Sequence, residues 1–136
     1  MKKVIQFLSL AICGLLLSSF VANNANKKMY DPKYYVAYAS ENYANGKRSY
    51  VITNVVYVSC DHSHTGTTVT NQLYTYYNAY HKKSRNSISL GTGNNTFAHE
   101  FDSRSQAESK RRELIARFNK DNDALLLEKF SVLCDD

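Results

Sequence analysis

The strongest constraint on what this chain can fold into lies at its start. Lys2 and Lys3 precede Val4 to Ala22, a run of nineteen residues with no charge. Leu15-Leu16-Leu17 is its most apolar patch, and Ser18-Ser19 makes it more polar toward its end. A short basic region, an apolar region and a small-residue exit are the three parts of a secretory signal peptide. Residues 1–22 are therefore expected to be removed, with cleavage after Ala22. Phe20 is bulky three residues before that cut, so Ala25 stands as an alternative. A retained membrane anchor is disfavoured because Gln6 and the serines dilute the run. A lipoprotein box at Leu10-Ala11-Ile12-Cys13 is disfavoured by bulky Ile12. The expected location is outside the cytoplasm, secreted or periplasmic, with membrane contact only through the uncleaved peptide.

Removal leaves 114 residues and takes two lysines away, so the formal charge falls from +5 to +3. That balance keeps a small protein soluble but is no argument for nucleic acid. The length allows one domain. Residues 23–32, polar and closed by Pro32, read as a flexible leader, and 33–136 as the domain.

Of three cysteines Cys13 leaves with the peptide, and Cys60 and Cys134 remain. An even pair in an exported chain is expected to form a disulfide, closing a loop of about 75 residues worth roughly 4 kcal/mol in the chain-entropy model. Two buried thiols are the alternative.

Tyr34 to Tyr38 opens a β-rich stretch, and Tyr50 to Cys60 is dense in Val, Ile and Tyr, as one long strand. Asn45-Gly46 between them signals a hairpin turn, both residues tolerating positive φ. Strict alternation puts Ile52, Val56, Val58 and Cys60 on one face and Val51, Thr53, Val55 and Tyr57 on the other. Val69, Leu73, Tyr76, Tyr77 and Tyr80 mark a helix capped at Thr67 or Thr68, ending in a polar loop at Lys82–Asn86. Ile88-Leu90 and Phe97-His99-Phe101 read as a second hairpin across Gly91–Asn95. A second helix follows, capped by Ser103 or Ser105, with Ala107, Leu114, Ile115 and Phe118 inward and pairs Glu108–Arg112 and Glu113–Arg117 outward. Leu125 to Cys134 reads as a closing strand. The order ββαββαβ predicts a single α+β domain with an antiparallel or mixed sheet of about five strands and two helices.

Chemistry is sparse. His62 and His64 flank a loop and are weak metal candidates without a third ligand. His99 between two phenylalanines, with Glu100 and Asp102 on the other face, has the makings of acid–base work. Nucleophile elbows, zincin helices and phosphate-cradling loops are missing, and the Gly91-Thr92-Gly93 run precedes a strand. No cofactor is expected. Lys82, Lys83 and Arg85 with Lys110, Arg111 and Arg112 read as solvated faces. Asn94-Asn95-Thr96 fits a glycosylation sequon.

The remaining unusual feature is eleven tyrosines, all between Tyr30 and Tyr80. Tyrosine joins a large ring to a hydroxyl and suits binding surfaces. Tyr34, Tyr35, Tyr38, Tyr43, Tyr50 and Tyr57 are expected to line one side of the first hairpin. The expected function is a small exported, non-enzymatic binding domain for a protein, peptide or glycan. A small hydrolase or metal-binding protein using His62, His64 and His99 is the alternative.

Overall fold

The computed structural model describes residues 31–59, 65–91 and 95–134. Strand β1 (Lys33–Asn42) organises them. On one edge it pairs antiparallel with β2 (Arg48–Ile52) and β3 (Val56–Val58); on the other it pairs antiparallel with β4 (Ser89–Leu90) and β5 (Thr96–Phe101). Helix α1 (Thr65–Tyr80) and the single turn α2 (Lys82–Arg85) join the two edges. Helix α3 (Arg104–Phe118) leads to β6 (Leu125–Leu126), which lies parallel to β2. This is a small α+β domain with a mixed six-stranded sheet and three helices.

Both faces of β1 are covered, which explains why its sequence is apolar at successive positions. Tyr35, Ala37 and Ala39 pack under Val69, Leu73 and Tyr77 of α1. Val36 faces the other way, with Ile52, against Ala107 and Leu114 of α3. Ser103 caps α3 by accepting the Gln106 backbone N–H at 3.3 Å, choosing between the two expected serines.

Several sequence expectations need correction. The long strand through Cys60 is interrupted. Tyr38 faces Ile52 but Tyr35 faces Val56, so one extra residue sits on the second strand between them. That is a β-bulge, and it inverts the alternation. Val51, Val56 and Val58 therefore share the α1 face, while Ile52 and Val55 share the α3 face. Buried Thr53 holds the bulge, its Oγ1 accepting the Ala37 N–H at 2.9 Å while its own N–H donates to the Ala37 carbonyl at 2.9 Å.

The second hairpin is absent among the described residues. β4 and β5 are both antiparallel to β1, hence run the same way, and follow one another along its edge. In the first turn only Gly46 takes positive φ, at 78°, while the Asn45 side chain accepts the Lys47 N–H at 3.0 Å. Helix α1 begins at Thr65, which places Thr67 and Thr68 inside it. The Lys82–Asn86 loop contains a helical turn closed by Asn86 at φ 52°. On α3 the charge pairs are Arg104–Glu108 at 3.7 Å and Lys110–Glu113 at 2.8 Å, in place of the two expected.

Beyond Leu126 the expected strand gives way to a segment held by side chains. The Asn54 amide donates to the Phe130 carbonyl at 3.0 Å and accepts its N–H at 2.9 Å. Gln72 does the same for Leu133, at 2.6 and 2.8 Å. Two carboxamides thus make the pair of bonds that a neighbouring strand would make.

Candidate functional site

An aromatic row lies on the α3 side of the sheet and is built across strands; the most exposed tyrosines, Tyr80 and Tyr57, lie outside it. The register sets Phe97 of β5 opposite Tyr38 of β1, and their rings stack at 5.1 Å with 21° between planes. Phe118, the last residue of α3, stacks on Tyr38 at 5.2 Å and on Tyr50 of β2 at 4.1 Å. The result is a continuous row, Phe97–Tyr38–Phe118–Tyr50. His99 stacks beside Tyr38 at 5.8 Å and 10°, and the Arg117 guanidinium lies 4.9 Å from the Phe118 ring centre. Phe97 is 43% exposed, and the other rings are half-buried.

Burial lowers the His99 pKa, Lys110 lowers it further, and Glu113 opposes both. Its neutral form is favoured, which lets the imidazole lie flat among uncharged rings.

The six tyrosines expected on one surface are distributed over four places. Tyr38 and Tyr50 belong to the row. Tyr34 and Tyr57 form a separate edge-on pair at 5.5 Å near the other end of β1. Tyr35 is a core residue, 1% exposed, its hydroxyl donating to Glu100. Tyr43 lies beside Glu41 and Arg85, its pKa raised first by burial and then by the Glu41 carboxylate. Tyr34 and Tyr35 are adjacent on a strand and so point to opposite faces.

A polar centre occupies the α1 side. Glu41 of β1 is fully buried and receives the Arg85 guanidinium through Nε at 2.8 and 2.9 Å and Nη2 at 2.7 Å. The Tyr77 hydroxyl donates to Glu41 and also contacts the Ser87 hydroxyl, and Arg85 reaches the Asp123 carbonyl at 2.7 Å. Burial and then Glu41 push the Tyr77 pKa well above the ordinary phenol range; hydrogen bonding to Glu41 raises that of Arg85. Ser87 also lines an open recess of about 380 Å³ with Asn78, Lys82, Lys83 and Asn86. The buried carboxylate is saturated by its partners and anchors α2 and the Asp123 loop to the central strand.

The acid–base carboxylates suggested beside His99 have other partners. Glu100 accepts from Tyr35, and Asp102 pairs with Lys33, which lowers the Asp102 pKa. The other described histidine, His81, stacks against Tyr76 and Tyr77 on the α1 side. Asp61, His62, His64, Cys60 and the sequon Asn94 lie outside the described residues, as do residues 1–30. No cluster of three or more metal-ligating side chains occurs among the described residues. The two basic segments sit on opposite layers, and Arg85 and Arg111 are bound to Glu41 and Glu128.

Phe97 and Phe118 of the row, and Arg117 beside it, are residues that sequence reasoning did not assign to a binding surface. Phe97 was visible as part of an alternating strand, but only the β1–β5 register and the end of α3 bring it to Tyr38. No family model, curated protein or solved structure matches this chain.

Proposed function

We propose that this chain is a small exported interaction domain, non-enzymatic, which receives a protein, peptide or glycan on the aromatic row. The observation that carries the reading is the near-parallel stacking of Tyr38 with Phe97 and Phe118, and of Phe118 with Tyr50, within 28° of one another at solvent. Mutual stacking leaves these side chains little freedom to lose, and the exposed Phe97 at the end of the row offers apolar area to a ligand. It suits the apolar face of a sugar ring or an aromatic or proline side chain of a peptide. The tyrosine hydroxyls and Arg117 supply polar contacts at its margins.

Export rests on Lys2-Lys3 and the uncharged run that follows. Within the described residues no helix is long and apolar enough to cross a membrane. The Cys60–Cys134 disulfide belongs to the same reading. Cys134 is not a free thiol and packs against the cluster containing Val58, two residues before Cys60.

The chain has eleven tyrosines and no Trp, so resolved Tyr38 and Tyr50 signals are what report on the row. Titration with neutral β-linked oligosaccharides and with aromatic-rich peptides is expected to perturb Tyr38 and Tyr50 resonances and emission. Phe97→Ser should weaken that binding roughly threefold to tenfold, and loss of the stack on Tyr38 should cost about 1 kcal/mol of stability, read separately by thermal melting. Binding unaffected by Phe97→Ser, or confined to the Tyr34–Tyr57 end, would overturn the reading.

A further inference from the structure

Strand β5 is the longest sheet edge left open. Among the described residues nothing pairs with its outer side, and the other boundary strands β3, β4 and β6 are only two or three residues long. Very short edge strands resist pairing with other chains, as do edges carrying Lys, Pro or a bulge. The six residues of β5, Thr96-Phe97-Ala98-His99-Glu100-Phe101, include no Lys and no Pro, and their register with β1 runs unbroken. Every second residue of such a strand turns its backbone N–H and C=O outward.

We propose that a second copy of this chain pairs antiparallel along the outer edge of β5, about a twofold axis at His99. A twofold axis normal to a sheet must pass through a pair of equivalent residues, because directly opposed side chains share a face. Centring it on His99 sets Phe97 opposite the partner's Phe101, twice, and Ala98 opposite the partner's Glu100, twice. The 43% exposed Phe97 ring gains an aromatic neighbour in each copy. Charges are compatible with this register. Glu100 faces alanine and already accepts from Tyr35, and the opposed histidines have no carboxylate of the same strand beside them on their face. Phe97 also ends the aromatic row of its own copy, so the pairing carries that row on to the partner's Phe101, which its own register sets opposite Tyr34. The partner is the same chain because one short sequence satisfies both sides of the contact.

The test is sedimentation of the purified protein without added ligand, so it is independent of whether the row binds glycans or peptides. A concentration-dependent monomer–dimer equilibrium is expected. Phe97→Lys puts a charge on the edge and should raise the dimer dissociation constant roughly tenfold or more, while the monomer stays folded with a melting temperature lowered by the lost stack on Tyr38. His99→Cys should form an intermolecular crosslink under mild oxidation, since it faces itself across the axis. A monomer at all accessible concentrations, a dimer indifferent to Phe97→Lys, or His99→Cys without an intermolecular crosslink would each sink the proposal.

Discussion

Glu41 has no access to water, and its carboxylate is matched by the Arg85 guanidinium and the Tyr77 hydroxyl. Removing one partner of such a pair costs more than the pair contributes, because the remaining charge stays buried. Arg85→Ala is expected to lower unfolding free energy by about 3 kcal/mol, and Tyr77→Phe by about 1–3 kcal/mol, both read by urea denaturation. A second residue-scale expectation concerns His99, whose pKa is lowered in the fold by burial. The unfolded chain then binds the proton more readily. Stability is full above the ordinary histidine pKa and falls as pH drops through it toward the depressed folded value. A His99→Gln variant should show a flatter loss of melting temperature between neutral and mildly acidic pH than the parent. An equally steep loss in the variant would assign the acid sensitivity elsewhere.

At the scale of elements, the bulge at Thr53–Val55 decides which side chains meet. Residue type and periodicity identified β1, the first hairpin, α1 and α3, because apolar spacing and capping are local properties. Period-two alternation failed at the bulge, since one inserted residue reverses every later side chain and leaves no local mark in Thr53-Asn54-Val55. It also failed for β4 and β5, whose separation by a Gly-rich stretch looks the same for a reversal as for a sidestep. The carboxy-terminal segment misled for a different reason. Its apolar residues fit a strand, but past Leu127, whose N–H still donates to the Ile52 carbonyl, the partners at Phe130 and Leu133 are the Asn54 and Gln72 side chains. Asn54→Ala leaves both backbone groups of buried Phe130 without these partners and should cost about 1–3 kcal/mol. Hydrogen exchange at the Phe130 amide should accelerate well beyond that of Val51, which the strand ladder protects. Equal acceleration at both would indicate global destabilisation only.

For the whole molecule, two helical layers on one sheet divide the tyrosines between core, half-buried row and exposed positions such as Tyr57, Tyr74 and Tyr80. The tyrosines were legible as unusual, but not their division. Tyr35 entered the core and Tyr38 the row through strand parity, and Phe118 reached Tyr50 only because α3 ends there. Under the proposed Cys60–Cys134 pairing, reduction should cost roughly 4 kcal/mol or less, and Cys134→Ser the same amount. Thiol titration of the denatured, unreduced protein should find neither cysteine reactive. Two reactive thiols would mean the pair is open.

The central position of β1 bears on how the chain comes to be folded at all. Residues 33–42 are made early, yet one edge of that strand is closed only by residues 89–101, and the α1 face is completed by Leu127 and Phe130. A chain delivered amino end first must therefore wait, its central strand half-paired, until nearly the last residue has emerged. Long-range pairing of this kind favours slow, late and concerted assembly. A chain that crosses a membrane unfolded gains from that delay, because no stable half-domain forms to obstruct passage.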